Sequence, residues 1–265
     1  EGTSLKSALQ SLDAFTESGA FLVAHNGRHH DLPILRRVAP GLRLHGLPLI
    51  DTLELSPLCF PRNPYHRLVK DYKLVGASGS QPLRDCALAL SLLEDEIQAL
   101  GALPPELASI YATLLDDATE GDLPLFFSTL GVAPLPRPQL LPALEQWLAF
   151  PRQASIREEG ALKGREHAQC CAVVLREKLP GFVDSVRGRA SIAYLLAWLT
   201  TVVEGTSVIP GWVRRQHPGM EGVVRALRQT PCDDRACSYC REVHDLEASL
   251  TRYFHYTAFR GSADN

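Results

Sequence analysis

The sequence has no run of apolar residues long enough to cross a membrane. A spanning helix needs roughly 18 consecutive apolar residues, and the richest stretch, from Ala190 to Val203, is shorter and predicts a buried helix. A secretory signal pattern and an initial methionine are also missing, and the single methionine is Met220. We therefore expect a piece of a longer cytoplasmic protein with no membrane partner.

The chain also lacks the pattern Gly-x4-Gly-Lys-Ser/Thr, which excludes ATP binding through a P-loop. Neither sign of charge dominates, because the chain has 27 Lys and Arg and 30 Asp and Glu, which gives a net charge of −3. This balance excludes a uniformly basic surface, but a local basic patch is enough to bind nucleic acid. The 45% hydrophobic content indicates a folded protein with a sizeable core.

Helix and strand patterns alternate through the first hundred residues. Short apolar runs predict buried strands at 21–24 and 47–50, and apolar spacing predicts helices at 5–16, 31–38 and 82–100. Strands that alternate with helices indicate an α/β unit. A loop is predicted from 57 to 72. The last helix has one apolar face, made of Leu83, Ala87, Leu90 and Leu93.

After Gly101 the sequence shows helical patterns and no convincing strand. Three prolines at 131–138 predict a linker within this helical region. The predicted helices lie near 105–118, 138–150, 161–179, 189–204 and 219–229.

Three acidic residues follow the predicted strands or open the predicted helices. The first strand ends in His25-Asn26 and Asp31 opens the next helix; Asp51-Thr52 follows the second strand, and Asp85 lies at the start of the long helix. This pattern resembles the DnaQ-like (DEDD) 3′–5′ exonucleases, which have a ribonuclease H-like fold. The resemblance implies that Asp31 and Asp85 are catalytic carboxylates and that His25 and Asn26 contact the substrate.

The chemistry of such a site depends on metal ions. Two Mg²⁺ or Mn²⁺ ions about 4 Å apart neutralise phosphate charge and generate hydroxide, and these hard cations prefer carboxylate oxygens. The family's first ligand pair, an Asp-x-Glu on a strand, does not precede the helix at 5–16, so we expect it upstream. An alternative interpretation is that Asp31 and Asp85 only stabilise helix starts, by up to about 1 kcal/mol each.

Two further features of the sequence depart from the family. Its third motif places a His or Tyr shortly before the Asp to activate water, and Ser80 and Gln81 stand there instead. Neither is a base at pH 7, and His66 is a candidate substitute. His30 stands where the family has Phe, which makes the site more polar.

A loop before the long helix interleaves aromatic and basic residues. Such a loop can stack bases on its rings and pair phosphates with its cations. The alternative is a solvated loop whose tyrosines pack against the sheet. The predicted contacts to single-stranded DNA are Tyr65, His66, Arg67 and Lys70.

Three of the seven cysteines form a cluster with one histidine. The pattern is Cys232-x4-Cys237-x2-Cys240-x3-His244, and a Cys₃His set suits tetrahedral Zn²⁺. An iron–sulfur cluster, free thiols or a disulfide are the alternatives. The remaining cysteines lie in apolar or helical settings and are predicted core residues in a reducing compartment: Cys59, Cys86, Cys170 and Cys171.

The segment from Leu250 to Arg260 resembles the segment that leads into RecQ-family helicases, although the glutamine that follows in that family is missing. The two resemblances together imply a DNA-repair protein of the bacterial cytoplasm or nucleoid, in which an exonuclease acts on single strands or 3′ ends beside an ATP-dependent helicase. The alternatives are a catalytically degenerate DNA-binding module for the helicase and a purely structural role in which the helical middle mediates protein contacts. The expected regions are a partial exonuclease lobe at 1–103, a helical domain at 104–229, a metal-binding segment at 230–250 and the start of a helicase region at 251–265.

Overall fold

Two parallel strands and a larger number of helices make up the part of the chain that the computed structural model describes. The described residues are 4–63, 66, 68, 82–116, 122–149, 179–199, 209–221 and 224. Among them, no helix is long and apolar enough to span a membrane.

The N-terminal part follows the predicted order closely. Its strands are β1 (Leu22–Ala24) and β2 (Leu49–Asp51), and its helices are α1 (Leu5–Phe15), α2 (Asp31–Val38), α3 (Thr52–Cys59) and α4 (Pro82–Gly101). The predicted helices at 5–16, 31–38 and 82–100 are present, with ends that shift by at most one residue. The predicted loop from 57 begins too early, because α3 extends to Cys59.

The two strands pair in parallel, and the chain passes from β1 to β2 through α2. Leu22 lies opposite Leu49 and Ala24 opposite Asp51, and α4 packs against β1. Since the carboxyl ends of parallel strands meet at one edge of the sheet, the residues that follow β1 and β2 lie side by side. The predicted His25-Asn26 and Asp51-Thr52 pairs therefore occupy one edge.

The remaining described helices belong to the helical region. They are α5 (Pro105–Leu114), α6 (Asp122–Thr129), α7 (Arg137–Ala149), α8 (Val186–Leu199) and α9 (Gly211–Gln216). The stretch Ala190–Leu199 of α8 is buried throughout, which confirms the predicted buried helix over those residues. Residues 161–178 of the predicted helix at 161–179, and most of the predicted helix at 219–229, lie outside the described residues.

One hydrophobic core runs through both regions. It extends from Ile50 and Leu55 through Leu107 and Ile192 to Met220. A smaller cluster, made of Leu32, Leu42, Leu44 and Leu49, packs α2 and the turn after it against β2. The boundary predicted near residue 103 thus separates two regions that share a core.

Two expectations about buried residues are wrong. Leu83 and Leu90 of α4 are 87% and 53% exposed, because the buried face of this helix is rotated away from them and begins at Ala89. The residues of that buried face are Ala89, Leu93, Glu96 and Leu100. Cys86, predicted in the core, lies on the exposed side of the same helix.

Candidate functional site

The carboxylate of Asp51 organises the edge of the sheet. It is 1% exposed and accepts three backbone N–H groups, from Asn26 (2.7 Å), Arg28 (3.1 Å) and Leu53 (3.1 Å). The bond from Leu53 makes Asp51 the N-cap of α3. One side chain therefore joins the end of β2, the start of α3 and the loop between β1 and α2, which spans residues 25–30 and is called the β1–α2 loop below.

The β1–α2 loop has the backbone conformation that its hydrogen bonds to Asp51 require. Asn26 adopts a φ of 65°, a left-handed value that asparagine tolerates better than most residues. A Cβ at the next residue, Gly27, would collide with the side chain of Ala24. The dipeptide Asn26-Gly27 thus allows the N–H groups of Asn26 and Arg28 to converge on one carboxylate.

His25 is held in place by contacts to Thr52 and to the backbone of His66. Its Nδ1 lies 2.8 Å from the Thr52 hydroxyl, which lies 3.2 Å from the Ala24 carbonyl. Burial lowers the pKa of His25, while the Asp51 charge and a bond to the His66 backbone oppose that change. The described contacts of this imidazole tie the two strand ends together.

Arg28 bridges two acidic side chains from different helices. Its Nε lies 3.0 Å from Glu54 Oε1 on α3, and one of its terminal nitrogens, Nη2, lies 2.9 Å from Asp122 Oδ2 on α6. The side chains of Arg28, Glu54 and Asp122 are 17%, 9% and 18% exposed, so these ion pairs are only weakly screened by solvent. We call this arrangement the Arg28 bridge.

Burial and negative neighbours also perturb two carboxyl groups behind the sheet edge. Burial raises the pKa of Glu54 to about 7; Arg28 opposes the rise and Asp51 adds to it. Burial likewise raises the pKa of Glu96 on α4 to about 9; the Ser56 hydroxyl opposes the rise, and Asp51 and Asp95 add to it. At neutral pH Glu96 is therefore a neutral acid inside the core.

The two carboxylates predicted to bind metal lie at helix starts. Asp31 is the first residue of α2; its side chain is 60% exposed and lies 3.2 Å from His30 Nδ1. Asp85 lies half-buried in the first turn of α4. In the described residues, no three His, Cys, Asp or Glu side chains converge where an ion could sit. Two carboxylates suit a hard cation but are fewer than a two-metal site needs.

His66, the described member of the predicted DNA-binding loop, is buried. It is 7% exposed and lines a small cavity of about 10 Å³ beside Tyr194 and Trp198. Burial and the nearby His25 lower the pKa of His66 to about 4. Its imidazole is therefore neutral at pH 7 and weakly basic. Tyr65, Arg67 and Lys70 lie outside the described residues.

The predicted zinc ligands also lie outside the described residues, so their arrangement stays a prediction. These residues are Cys232, Cys237, Cys240 and His244. No protein-family model, no curated protein and no solved structure matches the chain.

The sequence interpretation gave no role to the residues of the Arg28 bridge or to Glu96. Glu54 and Asp122 lie 26 and 94 residues from Arg28 in the chain. A usable signal existed only for Asp51, which directly follows an apolar strand and precedes Thr and Leu, the pattern of an N-cap.

Proposed function

We propose that this chain contributes part of a two-metal 3′–5′ exonuclease that hydrolyses DNA phosphodiesters in a longer parent protein. The observation that supports this function is the arrangement of the sheet edge. His25-Asn26 follows β1, Asp51-Thr52 follows the parallel strand β2, and Asp31 opens the helix between them. This order of chemical groups is the one expected of a nuclease-like lobe.

In this proposal Asp31 and Asp85 are two of the carboxylates that hold Mg²⁺ or Mn²⁺. The bound ions would neutralise phosphate charge and supply a metal-bound hydroxide. The helix α4 that carries Asp85 packs against β1, which brings this helix to the strand that leads into the β1–α2 loop. The remaining acidic ligands would come from elsewhere in the parent protein.

The first test is Mn²⁺ binding to variants of the two carboxylates. We expect Mn²⁺ to broaden the amide resonances near Asp31 and Asp85 and excess Mg²⁺ to reverse this. Asp31→Asn and Asp85→Asn each remove a ligand and should weaken Mn²⁺ binding on the order of tenfold. NMR titration of the purified chain measures both effects.

Glu106→Gln is the matched control for this test. Glu106 is an exposed acid in the first turn of α5, so its loss removes a similar helix-start interaction without touching the sheet edge. This variant should bind Mn²⁺ as the wild type does. Equal Mn²⁺ affinity in all of these proteins would leave Asp31 and Asp85 as helix-start residues only.

A second expectation is that the 265-residue chain alone does not degrade DNA. Two carboxylates cannot give both metals the geometry that phosphodiester hydrolysis needs. Incubation with end-labelled single-stranded DNA and Mg²⁺ or Mn²⁺ should leave the substrate intact. Robust metal-dependent degradation that Asp31→Asn abolishes would show that the chain holds a complete site.

The alternative function is a degenerate nuclease fold that binds DNA for a neighbouring helicase. The observation that favours it is His66, which is buried and too weakly basic to activate water efficiently. Single-stranded DNA binding that Asp31→Asn and Asp85→Asn leave unchanged, together with an absence of Mn²⁺ broadening, would favour this alternative.

Two further parts of the proposal concern residues outside the described ones. Cys232, Cys237, Cys240 and His244 would bind one structural Zn²⁺, because three thiolates and an imidazole suit tetrahedral zinc. The segment 251–265 would lead into a RecQ-type helicase of the same parent chain. A cytoplasmic location fits the free thiols of Cys59 and Cys86.

A further inference from the structure

Besides the shared core, three polar contacts join described residues of the helical region to the β1–α2 loop or to α3. Asp122 of α6 pairs with Arg28. The Tyr194 hydroxyl of α8 donates to the Glu54 carbonyl at 3.1 Å. The Gln216 amide of α9 donates to His29 Nε2 at 2.7 Å. Two of these contacts reach the loop itself, and the third reaches its partner helix α3.

Of these contacts, the Arg28 bridge is the one made between charged groups. Glu54 and Asp122 share the guanidinium, and Asp51 lies close enough to influence Glu54. A guanidinium that binds two carboxylates is fixed in orientation, because its donors form a rigid fork. Arg28 is therefore held both by its backbone N–H on Asp51 and by its side chain.

Hydrogen bonds connect the β1–α2 loop directly to the first turn of α2. The His30 N–H donates to the Asn26 carbonyl at 3.0 Å, and the Leu32 N–H donates to the Gly27 carbonyl at 2.9 Å. These bonds make the loop continuous with the first turn of α2, where Asp31 lies. A shift of Arg28 or His29 would consequently move Asp31.

We propose that the helical region braces the β1–α2 loop, with Arg28 as a positioning residue that sets the place of Asp31 through Asp122 and Glu54. The position of Asp31 matters for metal binding only under the proposed function, on which this inference rests. It gives the helical region a role that its sequence did not reveal.

The test compares two variants, each of which removes an aspartate of the helical region that pairs with an arginine. Asp122→Asn keeps the size of the side chain but removes its charge from the Arg28 bridge. Asp116→Asn is the matched control, since Asp116 pairs with Arg137 at 3.2 Å on the surface and has no described contact with the loop. Backbone amide shifts and Mn²⁺ titrations are measured by NMR on the full 265-residue chain.

We expect Asp122→Asn to shift the amides of residues 25–31 and to weaken Mn²⁺ binding near Asp31 about threefold to tenfold. Asp116→Asn should change neither the loop amides nor the Mn²⁺ affinity. Unshifted loop amides in a folded Asp122→Asn protein would overturn the brace. If wild-type chain gives no Mn²⁺ broadening near Asp31, the proposed function fails, while the loop amides still decide the brace.

A second variant keeps the test informative if Asp122→Asn does not fold. Gln216→Ala removes only the exposed contact to His29. We expect amide shifts confined to residues 28–31, with the spectrum of α5 and α7 unchanged. Loop amides that stay at their wild-type positions in Gln216→Ala would contradict a brace from α9.

Discussion

Replacing Cys237 with serine is expected to release zinc from the chain and to expose residues 230–244 to proteases. The spacing of Cys232, Cys237, Cys240 and His244 lets a short turn wrap one ion. In zinc-finger peptides such sites have apparent binding free energies of about 10–16 kcal/mol at pH 7, which are also folding free energies. Losing one thiolate should therefore unfold this segment rather than loosen it.

Elemental analysis and limited proteolysis measure the two consequences. Wild-type chain should contain one zinc, and the Cys237→Ser chain well below one, with new cleavage confined to the segment. The matched control is Cys86→Ser, because Cys86 is an exposed free cysteine outside the cluster; this variant should keep its zinc.

The same experiment separates the alternatives to zinc. Iron with a visible charge-transfer band would identify an iron–sulfur cluster instead. Wild-type protein with no bound metal would leave free thiols or a disulfide. In each case the β1–α2 loop should give the same amide shifts, because Asp51 and Arg28 hold it without the cysteine cluster.

The elements that the sequence predicted share a clear local signal. α1, α2 and α4 have polar and apolar residues at helical spacing, and β1 and β2 are short apolar runs bounded by turn residues. Three of the described helices lacked such a signal. The shortest of them, α9, has only six residues. Most residues of α3 are buried, so it has little amphipathic pattern, and it contains Pro57. Eight-residue α6 has Pro124 near its start and is too short for a clear period.

The candidate site was predictable only where its residues are neighbours in sequence. His25, Asn26 and Asp31 lie within seven positions, and their pattern was readable together with the strand before them. Arg28 lies in the same stretch, but its partners come from α3 and α6, and only the packed core brings those helices to it. Glu96 lies outside the apolar face that Leu83 and Leu90 suggested, because the buried face of α4 is rotated from it.

The buried position of Glu96 leads to the second large effect. Glu96 is fully buried, and the Ser56 hydroxyl only partly offsets the cost of burying its carboxylate. Its pKa of about 9 lies above the ordinary value of 4.5, so the folded state holds its proton more tightly than the unfolded state. Its contribution to stability is fully present below pH 4.5 and is lost as the pH rises towards 9.

Glu54 adds a smaller contribution to the pH dependence of stability, and this contribution has the same sign as that of Glu96. Its pKa of about 7 means that its contribution is lost between about pH 4.5 and pH 7. Above pH 7 the remaining dependence comes mainly from Glu96. We therefore expect the free energy of unfolding to fall from pH 7 to pH 9 in the wild-type chain.

Glu96→Met should remove most of that fall and stabilise the chain by about 1–3 kcal/mol at pH 8. Methionine has a similar length and fills irregular core space, and replacing a buried ionisable group with an apolar one removes the cost of burying its charge. Urea unfolding of both proteins at pH 6, 7, 8 and 9 measures the difference.

Glu94→Met is the control for the change of residue type, because Glu94 is exposed on the same helix. It should alter the free energy of unfolding by no more than about 0.5 kcal/mol at any of these pH values. A Glu96→Met chain that is less stable than wild type at pH 8 would mean that the interaction of the Glu96 carboxyl with the Ser56 hydroxyl outweighs the cost of burial. The parallel loss of the pH dependence above pH 7 distinguishes removal of the Glu96 charge from a simple gain in packing.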